Sequence, residues 1–223
     1  ILDALRFTPQ SRLRIFLIGA KAQVSDHGPG LILKRPRSLL SDRLKKSILA
    51  NQDLKWFYIE IPEPPSLRTR GLSDIVEQMD DSDSRWWPEE KVRRHLNMME
   101  KSHYDRVSQL VKNEQVVYRT FFRRRRKGQQ RAEVRHDDLS GCLRTAVGGS
   151  GKQFLIKTGQ GSLKMRTMTP REYARLQGVP DEYPITVDGV QALTGFGDAV
   201  CVPAITWIAE NALHPLVENT CLL

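Results

Sequence analysis

Cysteine is scarce in this 223-residue chain: Cys142, Cys201 and Cys221 are widely spaced and odd in number. That excludes a disulfide-stapled scaffold and favours a reducing compartment. No CxxC pair or closely spaced Cys/His set is present, so no metal site is expected. Long apolar runs are also missing. The longest covers residues 15–20, a strand's length, whereas crossing a bilayer takes about 20 residues, so no membrane partner is expected. The opening residues ILDALRF lack the basic start and apolar stretch of a secretory signal. Residue 1 is Ile and stands in an apolar run with no cap, which suggests a fragment or cleaved product; the alternative is a frayed leader. The cluster Gly148, Gly149, Ser150 and Gly151 lacks the GxxxxGK[ST] spacing of a phosphate loop. No internal repeat is visible.

Positive charge is what the chain has in excess, with a net charge of +9 and an isoelectric point near 9.7. Residues 1–50 carry 10 basic and 3 acidic side chains, as do residues 119–152, while the remaining segments are slightly acidic. The densest cluster is Arg123, Arg124, Arg125, Arg126 and Lys127. Two basic blocks on an otherwise acidic chain are the footprint of a polyanion binder, a nucleic acid in particular, although a solvated basic loop has the same composition. Charge alone implies affinity, not sequence choice.

Hydrophobic patterning places a buried strand over residues 14–20, and a strand over residues 1–7 would make an antiparallel hairpin with it. A short basic helix is expected over residues 38–50, and a strand over 56–61 that stops at Pro62. A loop with an acidic end follows over 66–84. Pro88, Glu89 and Glu90 open a helix whose apolar residues recur to about Lys112. Residues 116–122 read as a strand running into the arginine block. Thr169, Pro170 and Glu172 form a capping box with Gly178 as the stop. The last element starts at Gly197 and Asp198, with regular helix from about Val202 because Pro203 disfavours an earlier start.

Three motifs then stand in order. Pro9-Gln10-Ser11-Arg12-Leu13-Arg14 resembles the PQxRxR motif of DNA cytosine-5 methyltransferases. Arg166-Thr-Met-Thr-Pro-Arg-Glu-Tyr-Ala-Arg-Leu-Gln-Gly-Val-Pro-Asp181 is similar to their RxLTPREcARLQGFPD motif almost letter for letter. Gly197-Asp198-Ala199-Val200 resembles their final GN(S/A)V motif, with Asp for the usual Asn. Cys142-Leu143 takes the place of a family Thr-Leu pair that precedes a Gly-rich loop. The resemblance covers the whole chain but only the family's C-terminal half.

It implies an α/β fold: part of a doubly wound methyltransferase sheet (its last strands and C-terminal helix) plus a mixed α+β target-recognition domain. The expected divisions are catalytic-domain strands at 1–20, target recognition at 21–165, and a linking helix with a returning C-terminal helix at 166–223. It also implies bacterial-type restriction–modification, cytoplasmic and DNA-associated. The family flips a cytosine from the duplex, adds a cysteine thiolate to C6 and methylates C5 from S-adenosylmethionine. The Gly-rich cofactor loop, Pro-Cys nucleophile and Glu-Asn-Val acid are absent here, so the nucleophile and most of the cofactor site would come from an N-terminal half as partner.

By the same resemblance, Arg14 would donate to O2 of the flipped base, while Arg12 and Gln10 would order the catalytic loop and phosphates. Gly197, Asp198, Ala199 and Val200 would reach the cofactor. Arg144, Thr145, Gly148 and Gly149 are candidates for base reading and Lys152 for phosphate, with the block Arg123 to Lys127 on phosphates. The helix after Thr169, with Arg171, Glu172 and Arg175, reads as a salt-bridged organiser. Two other readings share these features: a sequence-specific DNA-binding module without chemistry, and an inactive remnant.

Overall fold

The computed structural model describes residues 1–18, 26–145 and 151–218. It is a mixed α/β structure whose two sheets are both antiparallel; the parallel sheet implied by the resemblance is not among the described residues. β1 (Leu2–Asp3) pairs with β2 (Leu13–Arg14), and the 3-10 turn between them is capped by the Asp3 carboxylate, which accepts from the Leu5 and Arg12 amides at 3.1 and 2.7 Å. The long buried strand expected over 14–20 is not formed. Pairing stops at Arg14, and Ile15, Leu17 and Ile18 are exposed, because only the two-residue β1 lies alongside. Residues 19 and 20 lie outside the described residues.

Helices α1 (Gly28–Ile32) and α2 (Asp42–Leu49) follow, the second being the expected basic helix in shorter form, capped by Ser41. The strand expected over 56–61 is replaced by irregular backbone tied to side chains. The Trp56 amide donates to the Asp26 carboxylate at 3.0 Å and the Tyr58 amide to His27 Nδ1 at 3.2 Å. A short α3 (Leu72–Ile75) sits in the stretch read as loop. The single helix expected from Pro88 is two, α4 (Glu89–Asn97) and α5 (Lys101–Val111). The break is paid for by the sheet: the Ala132 amide donates to the Met98 carbonyl at 3.1 Å, and Met99 is buried in the core.

The main sheet has the order β4-β3-β5-β6, with β3 (Val117–Arg126), β4 (Gln129–Val134), β5 (Gln153–Gly159) and β6 (Ser162–Thr167). Two hairpins build it. Their two-residue tips, Lys127-Gly128 and Gln160-Gly161, have positive φ at both positions (48° and 77°; 54° and 77°), the turn geometry that matches strand twist. So the arginine block, into which the strand expected over 116–122 runs, is itself the end of β3 and its turn.

Side chains alternate across the sheet. One face presents Phe121, Phe154, Ile156 and Met165 to Val92, Met99 and Val107 around α4 and α5. The other presents Leu155 to Leu72 of α3, Tyr173 and Leu176 of α6 (Pro170–Leu176), and Leu193 of α7 (Gly189–Asp198). β5 is covered on both faces. Each such burial contributes roughly 1.5–3 kcal/mol. The capping box forms as read: Thr169 accepts from the Glu172 amide, Glu172 accepts from the Thr169 amide, and Gly178 follows the helix with φ 72°.

Gly197 and Asp198 do not start the last helix; they end α7. Ala199 is extended with ψ 163°, and α8 (Val202–Ile208) begins afresh at Val202, running through a π-turn into α9 (His214–Glu218). By length and average composition alone, the stretch Gly189–Val217 could cross a membrane; the uninterrupted-run criterion passes over it. The turn at Ala199 divides it, and Cys201, Ala204 and Ile208 pack on Leu2 and Ala4.

Candidate functional site

The first motif crosses beneath the main sheet, with Gln10 in a parallel bridge to Ser140. Gln10 is fully buried and uses both ends of its amide. Its oxygen accepts from the Leu143 amide at 3.2 Å; its nitrogen donates to the Leu176 carbonyl at 2.9 Å and to Gln177 at 3.3 Å. Gln177 passes the connection on, donating to the carbonyls of Phe196 (2.6 Å) and Ala199 (3.1 Å).

Arg12 completes this junction. Its guanidinium donates to the Leu143 carbonyl at 2.6 Å, to Ala199 at 2.9 Å and twice to Gly197 at 3.3 Å. Burial lowers its pKa, with the Cys142 thiol acting in the opposite sense. No carboxylate among the described residues pairs with it. Instead the cation sits on free carbonyls at the C-terminal, negative end of α7. One side chain thus joins the first motif, the 142–145 loop and the final motif.

Arg14 is exposed beside this junction, donating to its neighbour's carbonyl at 2.9 Å and to Cys142 Sγ at 3.3 Å. The Thr145 hydroxyl donates to the Asp198 carboxylate. Gly197 is packed so tightly that a Cβ there would lie 2.5 Å from the Arg144 carbonyl oxygen. Its close approach is therefore to the protein's own loop. Arg144 is exposed, and Gly151 lies under Thr145, where a Cβ would meet the Thr145 carbonyl at 2.5 Å. Lys152 is half-buried next to β5; Gly148 and Gly149 lie outside the described residues. Cys201 is buried, its thiol pKa raised by burial, and its sulfur lies 3.9 Å from the Thr8 hydroxyl.

Behind the junction, Arg166 and Glu172 form a two-bond ion pair with neither side chain exposed. The same carboxylate accepts from the amides of Thr169 (2.8 Å) and Glu77 (2.9 Å). Arg175 clasps Asp181 at 2.8 and 2.6 Å, raising its own pKa and lowering that of Asp181. Arg171 departs from the salt-bridge reading, since its partners are the carbonyls of Pro180 and Tyr183.

The arginine block lies apart from this junction. Arg124 and Arg126 both donate to Glu133, at 2.6 and 3.0 Å. Arg123 lies over the Phe154 ring, 5.0 Å from its centroid, and Arg125 and Lys127 are exposed.

Sequence similarity places the chain in a family. The family profile described as C-5 cytosine-specific DNA methylase matches residues 1–214. Among curated proteins, the chain is 48% identical over 61 residues to Type II methyltransferase M.NlaX of Neisseria lactamica, covering 27% of this chain and 19% of that protein. It is 46% identical over 69 residues to Type II methyltransferase M1.ScrFI of Lactococcus lactis subsp. cremoris, covering 31% and 17%. For Type II methyltransferase M.HpaII of Haemophilus parainfluenzae the figures are 50% over 52 residues, 23% and 14%. The matched segments span less than a fifth of these relatives. With the family profile matching nearly the whole chain, the chain belongs to the C-5 cytosine-specific DNA methylase family.

Proposed function

We propose that this chain is the C-terminal part of a DNA cytosine-5 methyltransferase, supplying target recognition and one wall of the active site, and that an N-terminal half supplies the nucleophile. The observation that carries this reading is the Arg12 junction, where the first motif, the 142–145 loop and the final motif, separated by up to 187 positions, meet on one guanidinium. A stand-alone DNA-binding module has no need of that convergence. The proposed divisions are those that the family resemblance implies: residues 1–20 join the partial doubly wound sheet of the catalytic domain, 21–165 recognise DNA in the cytoplasm, and 166–223 return to the catalytic domain.

Within this reading Gln10 and Arg12 are positioning residues, since both are buried with partners entirely inside the protein. Arg14 is the exposed member and the one suited to donate to a flipped base. A guanidinium stays charged and donates in a plane, which fits the in-plane O2 of cytosine. Arg144 and Thr145 stand beside it for base contact. S-adenosylmethionine would supply the methyl group. Of the residues expected to reach it, Asp198 and Val200 are exposed and fit a wall of that site, whereas Gly197 and Ala199 are engaged by the loop and by Arg12.

The test is complementation. The 223-residue chain, mixed with a family N-terminal half that carries the Pro-Cys nucleophile, should transfer tritium from methyl-labelled S-adenosylmethionine to duplex DNA. The chain alone should transfer none. Halves shown to associate that transfer no label would overturn the reading.

A further inference from the structure

Strand alternation sorts the arginine block into two unlike sets. Arg124 and Arg126 point to the face that holds Glu133, and both donate to its carboxylate. Arg131, opposite Arg124 on that face, donates to Gln129. Arg123 and Arg125 point to the other face, which Phe121 shares. There α4 adds Lys91 and Arg94, one turn apart on the helix and so on one side of it.

Lys91, Arg94 and Arg123 form a cluster, and Arg125 stands two positions along β3 from Arg123 on the same face. Lys91 Nζ lies 4.3 Å from the centroid of the Trp87 ring, and Arg123 Cζ lies 5.0 Å from that of Phe154. The two rings pack edge-on, with centroids 5.3 Å apart. Burial is the main cause of a lowered pKa at both Lys91 and Arg123, and repulsion from Arg94 adds to it in each. No carboxylate among the described residues lies within ion-pair distance of any of the four, Glu90 one turn before Arg94 included. The Arg123 Nε is buried without a partner. Cations crowded on aromatic rings without a counter-charge are costly to the fold and suited to an anion.

We infer that Lys91, Arg94, Arg123 and Arg125 form a binding site for the phosphodiester backbone of DNA, and that the opposite-face arginines, Arg124 and Arg126, which share the single carboxylate of Glu133 and are held by it, contribute less. This rests on the DNA-binding reading above and assigns the contact to one face of the hairpin together with α4. Such a site adds affinity and salt dependence without choosing a sequence.

Two variants of the full chain with equal charge change provide the test. R94Q/R125Q removes two exposed side chains; R124Q/R126Q removes the pair held by Glu133. Binding to a 20-base-pair duplex is followed by fluorescence anisotropy across salt concentrations. R94Q/R125Q should weaken binding at least about tenfold and flatten the slope of log K against log salt by about 1.8, or 0.9 for each phosphate contact. R124Q/R126Q should weaken it less than about threefold. Equal losses in both variants, or a larger loss in R124Q/R126Q, overturn the face assignment while leaving DNA binding by the block intact. If the parent chain binds and neither variant changes that binding, the inference about this face falls while the reading of the chain as DNA-binding stands. R123K/R125K, which keeps the charge, should bind like the parent.

Discussion

Arg12 and Leu143 are joined by a 2.6 Å hydrogen bond from a nearly buried guanidinium to a backbone carbonyl, across 131 positions of sequence. The same guanidinium holds Gly197 and Ala199. Removing it takes a donor from three carbonyls in a closed environment, of which Ala199 keeps the Gln177 amide and Leu143 only the weak Cys142 thiol. An unsatisfied buried group costs about 1–3 kcal/mol, and solvent will relieve some of the three. R12M should therefore destabilise the chain by about 3 kcal/mol, read as a lower urea midpoint with an unchanged slope. R12K restores charge but not the fork, so it should recover less than half. A midpoint unchanged in R12M would remove Arg12 from its role as the junction.

Arg166 and Glu172 make the second internal pair, and here both partners are charged. E172Q leaves Arg166 buried without its counter-charge and weakens the cap of α6. Breaking a buried pair by one partner costs about 3–5 kcal/mol. In R166M/E172L no charge is left behind, so the double variant should be more stable than E172Q despite two changes. Thermal and urea unfolding of the three proteins check this order. E172Q more stable than R166M/E172L would mean that the pair's electrostatics are not what matters at this position.

The parts legible in the sequence are those whose signals are local. The capping box at Thr169, Pro170 and Glu172 and the stop at Gly178 are set by neighbouring residues, and they form as read. The strand over 117–122 follows from its own side chains. The failures come from partners distant in sequence. Residues 56–61 have strand composition, yet Asp26 and His27 take their amides. Pro88 to Lys112 has one helical period, yet the sheet claims the Met98 carbonyl. At the candidate site the motifs named the residues, but not the direction each faces. Gly197 reads as an opening for a ligand and is filled by Arg144. Gln177 stands within the second motif, but nothing in the sequence says that its amide reaches the Phe196 and Ala199 carbonyls.

Gly195 and Gly197 separate two effects within one helix. A Cβ at Gly195 meets nothing within 4 Å, whereas one at Gly197 meets the Arg144 carbonyl at 2.5 Å. Alanine at the first position should be neutral or stabilising by up to about 1 kcal/mol, since glycine weakens a helix interior. Alanine at the second should destabilise by about 1–3 kcal/mol through overpacking and push residues 143–145 away from α7. Proteolysis of that loop should accelerate in G197A and not in G195A. Equal behaviour of the two variants would refute the contact.

His95 should give the chain an acid-sensitive stability. Its ring is buried against Trp87, Phe121 and Phe154, with Nδ1 donating to the Lys91 carbonyl at 2.7 Å and Nε2 left without a partner. Burial is the main cause of a pKa below the usual 6.5, and the nearby Arg123, Arg94 and Lys91 add to it; the bond to the Lys91 carbonyl opposes. The unfolded chain thus takes up a proton at about pH 6.5 while the folded chain resists. Stability contributed by neutral His95 is complete above that pH and is lost as pH falls through it, at up to about 1.4 kcal/mol per pH unit. H95Q can keep the donor to Lys91 but cannot titrate. Urea midpoints measured from pH 7.5 to 5.0 should fall more steeply for the parent than for H95Q, the other titrating groups being common to both. Parallel curves would mean that His95 protonates in the folded state as easily as in the unfolded one.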